Sequence, residues 1–173
     1  MDRPKALVAC LPDPSRNPRP NRAIWLLHRL GYEVWVFSPT PGRPIAEISR
    51  VLSMRDQPRS RWLHVAQRLL IYGLGIVQVV LFPVFLERLK WWLWGGSEVL
   101  RFIGEGGFDV VLVEDLQLLA GVLDARCRGT RVVYDAREYA PRELEGSVVF
   151  RLFHQPLIRK QLHRYLPRVD GFY

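Results

Sequence analysis

The sequence predicts an α/β fold in which a doubly wound parallel sheet carries helices on both faces. Three observations lead there. Short apolar runs recur along the chain, separated by stretches with helical spacing of apolar residues, the alternation that builds parallel βαβ units. Two of those runs, Phe108-Asp-Val-Val-Leu-Val-Glu-Asp115 and Thr130-Arg-Val-Val-Tyr-Asp-Ala-Arg-Glu138, are apolar almost without interruption and then end abruptly in charged groups. A strand buried on both faces reads this way, and ligands of open α/β sheets collect just beyond the carboxyl ends of strands. Finally, 173 residues at 49% hydrophobic and 24% charged suffice for one domain with a sizeable core and carry no signature of disorder.

The elements follow in order. Residues 5–11 read as a first strand, leading into the proline-rich loop Pro12–Pro20. Asn21 is placed to cap a helix over 22–30, with Ile24, Leu27 and Leu30 on one face and Gly31 ending it. Residues 32–37 form a second strand, Pro39–Pro44 a turn-rich loop, and 45–52 a short edge strand. From 97 onward helix and strand alternate, with strands at 108–114 and 130–135 and another starting at 169. Right-handed crossovers are expected to bring 5–11 and 130–135 side by side at the centre. Gly104-Glu-Gly-Gly107 precedes a strand and is read as a turn, and no GxGxxG fingerprint is present.

Between Arg68 and Glu87 lie eighteen uncharged residues, Leu69–Leu86, followed by Trp91-Trp92-Leu93-Trp94. The length qualifies as a membrane span and the tryptophans resemble an interfacial belt. Topology argues against a span, because one crossing would divide a single sheet between two sides of a membrane, and two crossings need about 40 residues. The segment 62–94 is therefore expected to be a long apolar helical insertion, a helix pair broken near Pro83 and lying on an anionic membrane surface with Arg59, Arg61, Arg68, Arg88 and Lys90 on headgroups. Burial against the sheet or a partner domain, and a true span, are the alternatives.

The formal net charge of +8 favours anionic partners. Cys10 and Cys127 lack metal-type spacing and read as reduced core thiols, and the amino terminus does not have the pattern of a secretory signal. His28, His64, His154 and His163 are scattered, so no metal site is expected. The basic run Arg151–Arg168 has no aromatic platform and reads as a solvated helix face, so nucleic acid is not an expected partner. In the loop after the first strand, Arg16, Arg19 and Arg22 are candidates for binding phosphate, with Arg22 near a helix start.

The order Phe108-Asp-Val-Val-Leu-Val-Glu-Asp-Leu116, a helix, Gly129-Thr-Arg-Val-Val-Tyr-Asp-Ala-Arg-Glu-Tyr139, a second helix and Val169-Asp-Gly-Phe-Tyr173 resembles the amino-terminal domain of family 4 glycosyltransferases. The opening strand, Asn17-Pro-Arg-Pro-Asn-Arg22 and Leu30-Gly-Tyr-Glu-Val-Trp-Val-Phe37 fit the same resemblance. It implies a Rossmann-like sheet forming the acceptor-side half of a GT-B fold. It also implies transfer of a sugar from a nucleotide-sugar co-substrate, without a resident cofactor, to a lipid-linked or polysaccharide acceptor at the inner face of the cell membrane. Glu114, Asp115 and Glu138 are the implied catalytic candidates, and Arg137 joins the arginines as an acceptor or phosphate ligand. Two departures stand out. Leu112 and Glu114 replace the histidines of a His-x-His-Asp pattern, and Arg137 replaces the histidine of Tyr-Asp-Ser-His-Glu. Arginine does not serve as a base near neutral pH but does bind anions. In such enzymes a second domain holds the donor; residues 1–173 are expected to be one domain without it and inactive alone. The reading from another class is a non-catalytic Rossmann-like module that docks on a membrane or a partner chain.

Overall fold

The computed structural model describes residues 3–38, 42–53, 91, 96–136, 144, 146–148 and 150–172. Among the described residues six strands, β1 (Lys5–Ala9), β2 (Glu33–Ser38), β3 (Arg50–Ser53), β4 (Val110–Val113), β5 (Arg131–Tyr134) and β6 (Gly171–Phe172), form one parallel sheet in the order β3-β2-β1-β4-β5-β6. The helices whose full extent lies among the described residues are α1 (Pro18–Arg29), α2 (Ser97–Glu105), α3 (Leu116–Ala125) and α4 (Gln155–Tyr165). A π-helical turn, Phe150–His154, leads into α4 and a 3-10 turn, Leu166–Arg168, follows it. The fold is Rossmann-like, as the sequence predicts.

Alternation along the strands divides the interior into two cores. Leu7, Ala9, Phe37, Val111, Val113, Val132 and Tyr134 face α2, α3 and α4. Val8, Cys10, Val34, Val36 and Leu112 face α1, which contributes Ala23 and Ile24. Every residue from Ala6 to Cys10 is fully buried, which explains why that run has no polar position.

The sheet order corrects one expectation. Segment 130–135 does not pair with 5–11; β4 lies between them, with Val8 opposite Leu112 on one side and Leu112 opposite Val133 on the other. The short β4–α3–β5 connection leaves β5 no reach beyond its immediate neighbour. Aspartates at strand starts hold this register. Asp109 donates its N–H to Lys5 O (2.9 Å) and accepts the Lys5 N–H on its carboxylate (2.7 Å). Asp170 repeats the arrangement on Val132, with 2.8 Å for both bonds, and its carboxylate also takes Arg126 Nη1 at 3.0 Å.

Other boundaries shift for local reasons. Helix α1 starts four residues before 22, because Pro18 and Pro20 fit a first turn that needs no N–H donors, and Asn17 rather than Asn21 caps it, accepting the Arg19 N–H at 3.2 Å. It ends as expected at Gly31 (φ +88°), with Gly31 N–H on His28 O and Tyr32 N–H on Leu27 O. The edge strand occupies 50–53 rather than 45–52; Ile45 and Ile48 instead close a turn and pack on the α1-side core. Gly104 belongs to α2, so only Gly106–Gly107 turn.

Segment 62–94 lies outside the described residues except for Trp91. That indole is 1% exposed and stacks on Phe37 with centroids 5.4 Å apart, so it is a core residue and not part of an interfacial belt. Among the described residues no helix is long and apolar enough to cross a membrane.

Trp91 packs against α3 where that helix has Gly121, and a Cβ there would overlap the indole. Gly121→Ala is expected to lower stability by about 1–3 kcal/mol through overpacking, despite the better helix propensity of alanine. Gly146→Ala, where a Cβ meets nothing, is the control. Denaturant titration of both variants checks this; equal stabilities would mean that Trp91 does not pack on α3.

Candidate functional site

The sheet order reverses between β1 and β4, since β2 and β3 extend one way from β1 and β5 and β6 the other. Chains leaving the carboxyl ends of β1 and β4 part at that point, opening a crevice above the sheet.

The loop that leaves β1 is built from its own sequence. Asp13 accepts the N–H and hydroxyl of Ser15 (2.8 and 2.7 Å), and its carbonyl takes the N–H groups of Arg16 and Asn17. The end of β2 and the loop after it brace it: Ser38 Oγ donates to Pro12 O (3.2 Å) and the Arg43 N–H to Ser15 Oγ (3.1 Å). Gly42, at φ +70°, passes so close to the Asp13 carboxylate that a side chain there would collide with it. Thus Asp13, Ser15 and Asn17 fix where α1 begins and where its first-turn arginine points.

That arginine crosses the crevice. Arg19 Nη1 lies 3.2 Å from Asp135 Oδ1 at the end of β5. Asp135 is 5% exposed, and a carboxylate this buried needs a cationic partner. One turn along α1, Arg22 bonds the Pro18 carbonyl through Nε at 3.4 Å. Arg19, Arg22, Ala23 and Leu26 from α1, with Asp135 and Ala136 from the end of β5, line a cavity of about 350 Å³. Its described lining combines two arginines and an aspartate with Ala23, Leu26 and Ala136.

The predicted site residues separate into groups. Arg19 and Arg22 come together in the cavity. Arg16 does not line it; its side chain is 79% exposed and its Nε lies 3.5 Å from Asp13. Arg22 sits in the second turn of α1 rather than at a helix start, so backbone amides do not support it. Asp115 lies at the crevice floor, where its carboxylate accepts the Leu11 N–H at 2.7 Å and ties the end of β4 to that of β1. Glu114, 2% exposed, points into the protein interior. Arg137 and Glu138 lie outside the described residues. Among the described residues no group of three His, Cys, Asp or Glu side chains is placed to hold a metal ion.

Sequence reasoning marked Asp135 as a strand-end charge but missed its pairing with Arg19, 116 positions away. The signal for Ala23 and Leu26 was present. Positions 19, 22, 23 and 26 share one helical face, and following the arginines by that spacing reaches them.

Comparison with protein-family models, curated proteins and solved structures found no match.

The Ser15 hydroxyl holds the Asp13 carboxyl below its ordinary 3.8 against the opposing desolvation, with smaller help from the Ser15 N–H, Arg16 and Arg43. A carboxyl lowered on folding contributes stability above its unfolded value and loses it as pH falls through the folded value. Asp13→Asn is therefore expected to flatten the stability–pH curve below pH 3.8. Denaturation midpoints along an acid series test this, and an unchanged acid limb would count against the turn.

Proposed function

We propose that this domain is the acceptor-side wall of a GT-B glycosyltransferase resembling family 4, transferring a sugar from a nucleotide-sugar donor to a lipid-linked or glycan acceptor. The observation that carries the reading is the pairing of Arg19 with buried Asp135 across the crevice, with Arg22 beside it. Cationic forks at the switch point of a parallel sheet suit an anionic acceptor. In this reading Arg19, Arg22 and Arg137 bind the acceptor's phosphate, while Asp115 and Glu138 orient or deprotonate its hydroxyl. The donor is held by a separate donor-binding domain, because transfer requires both substrates in a closed, water-poor cleft.

The reading also places the domain on the inner face of an anionic membrane. Exposed apolar residues on α1 and its C-cap support this: Trp25, Leu26 at the cavity rim and the C-cap Leu30 are 47%, 53% and 63% exposed, Arg29 lies 4.6 Å over the Trp25 ring, and the helix contains no acidic residue. The uncharged run Leu69–Leu86 with its flanking arginines has a composition suited to the same surface. The rival reading is a non-catalytic docking module. It is favoured by Asp115 and Asp135 both being engaged within the protein, on Leu11 and Arg19.

Two outcomes test the proposal. Combined with a donor-binding domain of this class and a panel of nucleotide sugars, the protein is expected to label membrane lipid or glycan. Asp115→Asn and Glu138→Gln should each reduce labelling by about 100-fold or more, the scale of lost acid–base catalysis, against little change for Arg159→Ala on α4. Equal effects would place the chemistry elsewhere, and no labelling with any donor would favour the docking module. Separately, Trp25→Ser with Leu30→Ser should weaken binding to anionic vesicles by about tenfold, and high salt should release the protein, because each basic group contributes roughly 1 kcal/mol at such a surface. Binding unaffected by either change would remove the membrane face from α1.

A further inference from the structure

Resting on the reading of the crevice as an acceptor site, we infer that the cavity between α1 and the end of β5 opens sideways onto an anionic bilayer. Its ligand is an anionic lipid headgroup whose chains stay in the membrane. The inference follows from one helix face serving two surfaces. Arg22, Trp25, Leu26 and Arg29 stand at the spacing i, i+3, i+4, i+7, which sets them along one face of α1. Pro20 and Ile24 turn the opposite face into the core. Two of the four outward residues, Arg22 and Leu26, also line the cavity, with Asp135 and Ala136 contributed by the end of β5. The outward face and the cavity wall therefore meet along Arg22 and Leu26.

The chemistry of that face names its occupant. Trp25 and Leu26 are about half exposed, and Leu30 at the C-cap is more so. Indole rings, with an apolar body and a polar edge, settle at the boundary between lipid and water. The Arg29 guanidinium over the Trp25 ring holds a cation at the same level, where lipid phosphates lie. The helix carries Arg19, Arg22 and Arg29 and no Asp or Glu, the charge pattern of an interfacial helix on an anionic surface. One turn, about 6 Å, separates Arg22 from Leu26, so a single phospholipid reaches from one to the other. A soluble glycan would leave Trp25 and Leu26 in water, whereas a lipid held in the bilayer covers them and brings its phosphate to Arg22 in the same placement. Leu26 is the threshold between chain and headgroup.

The test locates a lipid headgroup and uses neither donor nor transfer, so it stands apart from catalysis. A phosphatidylglycerol analogue with a diazirine on its headgroup is incorporated into phosphatidylcholine vesicles and irradiated with the protein, and the label is mapped to tryptic peptides. Two peptides matter: Ala23–Arg29, from the outward face of α1, and Val132–Arg137, which carries Asp135 and Ala136 of the cavity lining. Labelling of both is expected. The same diazirine headgroup without chains, free in solution, should need about a 100-fold higher concentration to label Val132–Arg137 equally, because confinement to a bilayer on which the protein docks raises the local concentration. Trp25→Ser with Leu30→Ser should lower labelling of both peptides from vesicles by about tenfold, the scale of lost interfacial docking, and leave labelling by the chain-free headgroup unchanged.

Label confined to Ala23–Arg29 overturns the inference, since the helix then docks without loading the cavity. Equal labelling by the chain-free headgroup also overturns it, because the source is then solution. Absence of vesicle binding does the same and leaves the face of α1 to a protein partner. If the double variant does not fold, as judged by its melting transition, the comparison of lipid with chain-free headgroup on the unaltered protein decides. Labelling of both peptides without sugar transfer to any acceptor would sink the transferase reading and leave this inference standing; transfer to a soluble glycan with Val132–Arg137 unlabelled would do the reverse.

Discussion

The burial of β1 on all sides is the constraint from which the rest of the structure follows. Its backbone is bonded to β2 along one edge and β4 along the other, and Ala6–Cys10 are fully buried. A strand in that position admits only small and branched apolar residues, and it makes the chain choose a side for each later unit. The first choice, toward β2 and β3, and the second, toward β4 and β5, leave the order reversal beside β1. The crevice is thus a consequence of topology before any polar residue is considered.

Polar groups then define what the crevice does. Asp115 closes its floor onto Leu11, and Asp13 with Ser15 and Asn17 sets the start of α1, so the direction of Arg19 is determined by turn chemistry several residues earlier. Asp135 tolerates its burial because Arg19 reaches it. The outcome is a cavity in which one cation neutralises a structural carboxylate and a second faces the space beside it. Loop residues outside the cavity lining therefore set where its first-turn arginine stands.

Much of the fold was legible in the chain. Continuous apolar runs located β1, β2, β4 and β5, and Gly31 marked the end of α1. Less legible were features that depend on two distant segments. Asn17 and Asn21 are both acceptable caps, and the prolines at 18 and 20 decide between them only once a helix is allowed to begin with proline. Trp91 belongs to an aromatic cluster that looks interfacial by composition, yet it is buried against Phe37 and Gly121. Composition records that a residue is large and amphipathic, whereas its neighbours decide whether it meets lipid or core.

By itself the sequence determined the class of fold, the strands that are buried on both faces, and the carboxyl-end charges from which a site would be assembled. These are local properties: the period of apolar residues and the point where an apolar run stops are read from near neighbours alone. Only the tertiary structure decided that β4, and not β5, lies against β1, that Arg16 stays outside the cavity while Arg22 enters it, and that Arg19 meets Asp135. Those outcomes depend on how short crossovers stack strands side by side, and on burial leaving a carboxylate in need of a cation that the chain supplies 116 residues away.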